Sequence, residues 1–210
     1  ASPVITGGSR LTLAIFDLDN TLLAGDSDHA WGEFLVEEGI VDAEEYRLAN
    51  DRFYQESLNG ELDILHYLGF ALQPLASHNM EELLTWREAF MEKKVRPMMQ
   101  ATADTLLDSH REQGHTLMII TATNRFVTEP IAEALGIEHL IATEPELVNG
   151  RYTGEVAGTP SFQDGKVTRL DDWLSAHNRT LEGAWFYSDS HNDLPLLKKV
   201  DNPVAVDPDP

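Results

Sequence analysis

Two aspartates separated by one leucine, in the stretch Asp17-Leu18-Asp19-Asn20-Thr21, are the residues of this chain best suited to chemistry. They follow an apolar run, Leu11 to Phe16, that reads as a buried strand. A desolvated carboxylate is costly and needs a cation or several hydrogen-bond donors. The end of a core strand is also where open α/β sheets bind their ligands. A hard divalent cation, with phosphoryl transfer beside it, is the chemistry that suits this pattern.

Three more polar groups share that placement. Thr121 closes the apolar run 116–121 and leads through Ala122-Thr123-Asn124 into a helix. A hydroxyl and free N–H groups at a helix start suit a phosphate. Lys166 follows Gly165 at a helix start, where a lysine opposes the helix dipole and gains from a nearby anion. Ser188-Asp189-Ser190-His191-Asn192-Asp193 follows the strand-like run 184–187, so two more carboxylates leave a strand end. Each signal is weak alone. Their joint position on one sheet edge carries the reading.

The elements that must hold these groups alternate in texture. Asp28 to Lys94 is helical throughout. Residues 29–38 carry Trp31, Phe34 and Leu35 on one face, and Asp42 caps a helix that runs to about Asn59-Gly60. Leu62, Leu65, Leu68 and Leu72 mark a third helix, and Met80, Leu83, Leu84 and Met91 a fourth. After Arg96-Pro97, helices over 101–113, 125–135, 165–177 and 194–200 alternate with strands over 116–121, 140–143, 184–188 and 204–206. Asn149-Gly150 predicts a tight hairpin between 145–148 and 151–156. The fold class is α/β: a Rossmann-like parallel sheet with helices on both faces, plus an inserted all-helical cap. The expected division is a discontinuous core over 11–25 and 96–207, a cap over 26–95, and a disordered leader over 1–10.

Composition narrows the functions. The chain has 36 acidic and 15 basic residues and a net charge of -21. That argues against nucleic acid or an anionic membrane as partner, since both are held by Lys and Arg. There are no cysteines, which excludes disulfides, thiolate metal sites and a thiol nucleophile. No apolar run approaches the length of a membrane span, and a cytoplasmic enzyme is the expectation.

With Phe16-Asp17-Leu18-Asp19-Asn20-Thr21-Leu22, Ile119-Ile120-Thr121, Gly165-Lys166-Val167 and Ser188-Asp189-Ser190-His191-Asn192-Asp193 in that order, the chain resembles the haloacid-dehalogenase-like (HAD) superfamily. The likeness is to its phosphoserine-phosphatase-like branch with a helical cap, over about residues 11–207. The resemblance implies a Mg²⁺-dependent phosphatase acting on a small phosphorylated metabolite. Asp17 would be the nucleophile that becomes an aspartyl-phosphate, and Asp19 the general acid and then base. Thr121, Ala122 and Lys166 would hold the phosphoryl group. Asp17, Asp189 and the main-chain carbonyl of Asp19 would hold Mg²⁺, with Asp193 orienting a bound water or Lys166. An Asp two places after the nucleophile points to turnover by hydrolysis.

Ser188 and Ser190 stand where that branch often has glycine, and the chain stops shortly after the last strand, as a trimmed tail would. An EF-hand reading of Asp17 to Asp28 fails, because Leu22 replaces the required Gly and Asp28 the required Glu. A non-catalytic phosphate- or partner-binding module, or a phosphotransferase, is the alternative function. The substrate is less legible. Asp26, nine residues after Asp17, is a candidate reader of a substrate amine, and His29, Arg52 and Arg87 are further cap candidates. Phosphoserine and histidinol phosphate fit these residues about equally.

Overall fold

A computed structural model describes residues 12–206. The expected leader over 1–10 and the trimmed tail lie outside the described residues.

Continuous apolar runs build the centre of the sheet. Strand β1 (Leu13–Phe16) is fully buried. It pairs in parallel with β2 (Thr116–Asn124) on one side and β5 (Trp185–Ser188) on the other. β3 (His139–Val148) and β6 (Asn202–Ala205) extend the parallel sheet outward, and β4 (Arg151–Ala157) closes one edge antiparallel. The order is β4-β3-β2-β1-β5-β6. The chain leaves β1 in one direction and returns on its other side, so the crevice lies beyond the carboxyl end of β1.

Alternate residues of β1 face opposite layers. Ala14 and Phe16 join a core with Leu107 and Ile131, from helices α6 (Ala101–Glu112) and α7 (Arg125–Ala134). Leu13 and Ile15 join a second core with Leu170 and Leu196, from α8 (Asp164–His177) and α9 (Leu194–Leu197). Between β1 and α6 lie α1 (Ser27–Glu37), α2 (Ala43–Leu58), α3 (Ile64–Ala71), α4 (Gln73–Ala76) and α5 (Met80–Phe90). Met91–Val95 then widens into a single π turn before Pro97. Trp31 and Phe34 of α1 meet Phe90, and Trp31 packs edge-on to Phe126 of α7 at 5.7 Å. These two rings are the seam between the helical block and the sheet layer, which fixes the start of α1 over the end of β1.

Three expectations change. The leucine stripe of α3 is buried only in part: Leu68 and Leu72 are buried, but Leu65 is 68% exposed and the helix turns Tyr67 and Ala71 inward as well. Leu84 of α5 is likewise 41% exposed. The separate strands expected at 140–143 and 145–148 are one strand, β3. It pairs with β2 along its first half and with β4 along its second, through a turn with Asn149 and Gly150 both at positive φ.

Beneath Phe16, His110 is buried and bonded on both ring nitrogens. Its Nδ1 lies 2.8 Å from His115 Nδ1, and its Nε2 lies 2.6 Å from the Tyr187 hydroxyl. One nitrogen of the pair must lack a proton for this contact to hold. Burial lowers both pKa values, and for His110 the charge of His115 lowers it further. The unfolded chain therefore binds more protons than the fold as pH drops below about 6.5, and the pair's contribution to stability is lost in that window. Buried carboxylates elsewhere titrate in the opposite sense, so a comparison with a variant isolates the pair. His115→Gln is expected to be less stable than the native chain at pH 7.5, with the gap in Tm shrinking steadily towards pH 5. A gap independent of pH would refute this.

Candidate active site

Asp17 and Asp19 leave β1 directly, and the Asp17 N–H donates to the Tyr187 carbonyl at 2.9 Å, tying the loop to β5. The chain then turns sharply. Asn20 takes a positive φ of 58°, and its N–H donates to Gly25 O. That turn brings Ser27, the first residue of α1, back onto Asp19. Asp19 Oδ1 accepts from the Ser27 N–H at 2.7 Å and the Ser27 hydroxyl at 2.6 Å. Its Oδ2 accepts from the Thr123 hydroxyl at 2.8 Å. Asp19 is thereby held from two elements, α1 and β2.

Lys166 is 4% exposed and bridges two strand ends. Its Nζ lies 2.8 Å from Asp193 Oδ1 and 3.3 Å from Asp17 Oδ1. The Ser188 hydroxyl donates to the other oxygen of Asp193. Gly165 precedes this lysine for a steric reason: a Cβ there would overlap the Pro160 carbonyl oxygen. The first turn of α8 can therefore press against the 160–162 loop and deliver Lys166 inward. Asp189 accepts from the Thr21 hydroxyl at 3.2 Å.

These groups line one cavity of about 140 Å³. Asp17, Asp19, Thr121, Ala122, Lys166, Asp189 and Asp193 all border it, so the structure brings the core candidates together. Asp26 borders it too. His29 borders a smaller side cleft that opens from it, where its ring stacks on Tyr54 at 4.4 Å.

The two arginines are a correction. Neither lines the cavity or the side cleft. Arg87 donates to the Phe126 carbonyl at 3.1 Å and stands over the Phe126 ring at 4.8 Å, so its partner is a carbonyl and a ring face, not an anion. Arg52 lies over Phe53 and near Glu56, on the outer side of α2. Thr121 lies in the strand as expected, but β2 runs three residues beyond it to Asn124, which caps α7 through the Val127 N–H.

Electrostatics follow from the crowding. Six aspartates border the cavity with one lysine, Lys166. Burial raises Asp17 well above the ordinary carboxylate range; Lys166 lowers it, and Asp193, Asp189 and Asp19 push it up again. Burial pushes Asp19 up to about 7, assisted by the charge of Asp26 and opposed by its bonds to Ser27 and Thr123. Burial also raises Asp189. For Lys166 burial works against the ammonium, but Asp17 and Asp193 outweigh it and hold the charge. Asp17, which shares Lys166 with Asp193, and Asp189 form a hard-oxygen donor set with little positive charge to balance it. Among the described residues no three His, Asp or Glu side chains form a complete metal cage. Two carboxylates and a carbonyl are enough for an ion that keeps waters and substrate oxygens as its other ligands.

The model of the haloacid dehalogenase-like hydrolase family matches residues 14–198. The chain belongs to this family. It is 46% identical over 201 residues to a histidinol-phosphatase of Neisseria meningitidis serogroup C (strain 8013), covering 94% of this chain and 90% of that one. A crystal structure of a protein of unknown function from Bordetella pertussis Tohama I superposes with a TM-score of 0.89 at 45% identity, covering 95% of this chain and 91% of that one. A substrate-bound phosphoserine phosphatase shares the fold, with a TM-score of 0.68 at 20% identity over 95% of this chain and 87% of that one. Within the family this HAD protein is a phosphatase, a phosphoric monoester hydrolase.

Reading the sequence of this HAD phosphatase missed four residues of the site: Ser27 and Thr123, which grip Asp19, and Asp28 and Tyr67, which face the cavity from α1 and α3. Ser27 carried a signal, as a small hydroxyl residue just after the helix cap Asp26. Tyr67 carried none, because the leucine stripe drew the face of α3 elsewhere.

Proposed function

We propose that this phosphatase hydrolyses a small phosphomonoester with a cationic nitrogen, histidinol phosphate or a close analogue, through an aspartyl-phosphate on Asp17. The supporting observation is the placement of Asp17, Asp19, Thr121 and Lys166 around one cavity, with Asp19 fixed by Ser27 and Thr123 and Lys166 by Asp193. A Mg²⁺ ion held by Asp17, Asp189 and the main-chain carbonyl of Asp19 would offset the repulsion between a carboxylate and a phosphate dianion.

In the first step an oxygen of Asp17 attacks phosphorus and the ester P–O bond breaks. The proton of Asp19 goes to the leaving oxygen. A carboxyl raised to about 7 still holds that proton near neutral pH, which suits a general acid. In the second step Asp19 takes a proton from water, the water oxygen attacks phosphorus, and the acyl-phosphate P–O bond breaks to free Asp17 and orthophosphate. Lys166 and Thr121 meet the phosphoryl oxygens, where charge spreads in the transition state. Asp193 positions Lys166. The helical block over 26–95 serves as a cap: the end of α2 and the start of α3 border the cavity mouth through Ser57, Leu58, Leu62 and Ile64. There His191 of the last motif packs so closely on Gly60 that a Cβ would overlap its Nε2.

Histidinol phosphate is preferred to phosphoserine on charge. Phosphoserine carries a carboxylate, and no arginine borders the cavity or the side cleft to receive it. The 46% identity to a histidinol-phosphatase supports the same choice. The test is phosphate release from histidinol phosphate and from O-phosphoserine, with Mg²⁺ and after chelation. The expected kcat/KM favours histidinol phosphate by about tenfold or more, since a buried unpaired carboxylate on the wrong substrate is heavily penalised. Chelation should stop release and added Mg²⁺ restore it. A preference for phosphoserine would overturn the substrate. Release from neither ester, nor from 4-nitrophenyl phosphate, would favour the binding-module alternative.

A further inference from the structure

Six carboxylates border the cavity, and all but one have an assigned employment. Asp17 and Asp189 form the donor set for a cation, Asp19 is gripped by Ser27 and Thr123, and Asp193 is paired with Lys166 and Ser188. Asp26 is the N-cap of α1 and accepts from the His29 N–H at 2.9 Å, an ordinary structural duty for an aspartate at a helix start. Asp28 is the exception. It stands in the first turn of α1 and, like Asp26, borders both the cavity and the side cleft, but it has no capping duty. Tyr67 of α3 borders the same cavity and cleft, and its nearby hydroxyl favours the charged form of Asp28. No cationic side chain pairs with it among the described residues.

The space in front of Asp28 is shaped for a ligand. The side cleft, of about 40 Å³, leads off the cavity between α1, α2 and α3. Its walls include Phe53, Tyr54, Tyr67 and Leu62, together with His29 and Asn50. A water needs roughly 10–15 Å³ of such space, so the cleft has room for a group of a few heavy atoms beyond the phosphate site. Ring faces and a carboxylate together suit a protonated nitrogen.

From this juxtaposition we propose that Asp28, beside Tyr67, is the specificity-determining carboxylate of the site. It receives the cationic nitrogen of the substrate at the junction of the cavity and the aromatic side cleft, while Asp26 serves to cap α1. The inference rests on the proposed phosphatase reading and reassigns the amine-reading role expected for Asp26. It places a substrate's phosphate and its cation on different elements: the phosphate on the strand ends, the cation on α1 and α3.

Asp28→Asn keeps the shape and removes the charge. The readout is the ratio of kcat/KM for histidinol phosphate to that for 4-nitrophenyl phosphate, an ester without a cation. This ratio is expected to fall by about tenfold or more, the size of one hydrogen bond to a charged group, mainly through KM for histidinol phosphate. Asp28→Glu should retain more of the ratio than Asp28→Asn, and Asp26→Asn should alter thermal stability more than the ratio. Competitive inhibition by free histidinol, which bears the cation without phosphate, should weaken in parallel in Asp28→Asn. An unchanged ratio in a folded Asp28→Asn, or a larger change in Asp26→Asn, would overturn the proposal. If Asp28→Asn does not fold, Tyr67→Phe tests the same ratio, and no change there overturns the proposal as well. Failure of the underlying reading is distinct: the native protein would then release phosphate from neither ester.

Discussion

Asp17→Asn is expected to reduce phosphate release by about 10⁴-fold or more, the scale seen when a covalent nucleophile is removed. Asparagine has nearly the same shape, so it can still fill the turn where Asp17 Oδ1 accepts the Leu18 N–H at 3.0 Å. What it loses is the oxygen lone pair able to attack phosphorus. Stability is not expected to fall. Burial and three neighbouring carboxylates disfavour a charge at Asp17 and together outweigh its pairing with Lys166, so a neutral amide relieves more than it loses. The outcome is thus a folded protein, with Tm equal to or above the native value, that neither turns over nor retains acid-precipitable phosphate. Turnover within about tenfold of native would sink the nucleophile assignment, since residual catalysis without a covalent nucleophile falls far lower.

Lys166→Met should damage both activity and stability. Lys166 is the cation that pairs with Asp193, which is itself 2% exposed. Methionine can fill the space but leaves Asp193 with only the Ser188 hydroxyl. Removing one member of a buried pair costs about 3–5 kcal/mol, because the other charge stays desolvated. For a chain of this size each kcal/mol moves Tm by roughly 2–4 °C, so a drop on the order of 10 °C is expected. Adding Asp193→Asn should recover most of that loss, because no buried charge is then stranded, while activity stays low. A Lys166→Met protein as stable as the native one would contradict the pairing. A double variant no more stable than the single would do the same.

Much of this architecture was legible before any coordinates. The apolar run ending at Phe16 and the run 116–121 are short, bounded by polar residues and rich in Ile and Leu, which fits buried strands better than helices. Alternation with helices made the sheet parallel, and parallel strands connected by crossovers put their carboxyl ends on one edge. Asp17, Thr121 and Asp189 therefore had to approach each other. The parts that misled were those where local pattern is ambiguous. Leu65 and Leu84 fit a helical stripe by spacing, but which face of a helix is buried depends on what packs against it. The strand β2 runs past Thr121 because Asn124 still pairs with Thr143 of β3, a contact between segments that spacing does not reveal.

The order and spacing of the aspartates, Thr121 and Lys166 determined by themselves that carboxylates, a hydroxyl and an ammonium would meet at one sheet edge, because strand direction follows from chain connectivity. Tertiary structure alone decided how each of those charges is balanced. Arg52 and Arg87 spend their charge outside the cavity, on ring faces, Glu56 and a carbonyl. Asp26 and Asp28 are two residues apart, alike in type and both on the cleft wall, yet one caps a helix and the other stands beside Tyr67 with no such duty. Their difference arises where α1 and α3 pack together, and charge compensation depends on distances between segments that are far apart in the chain.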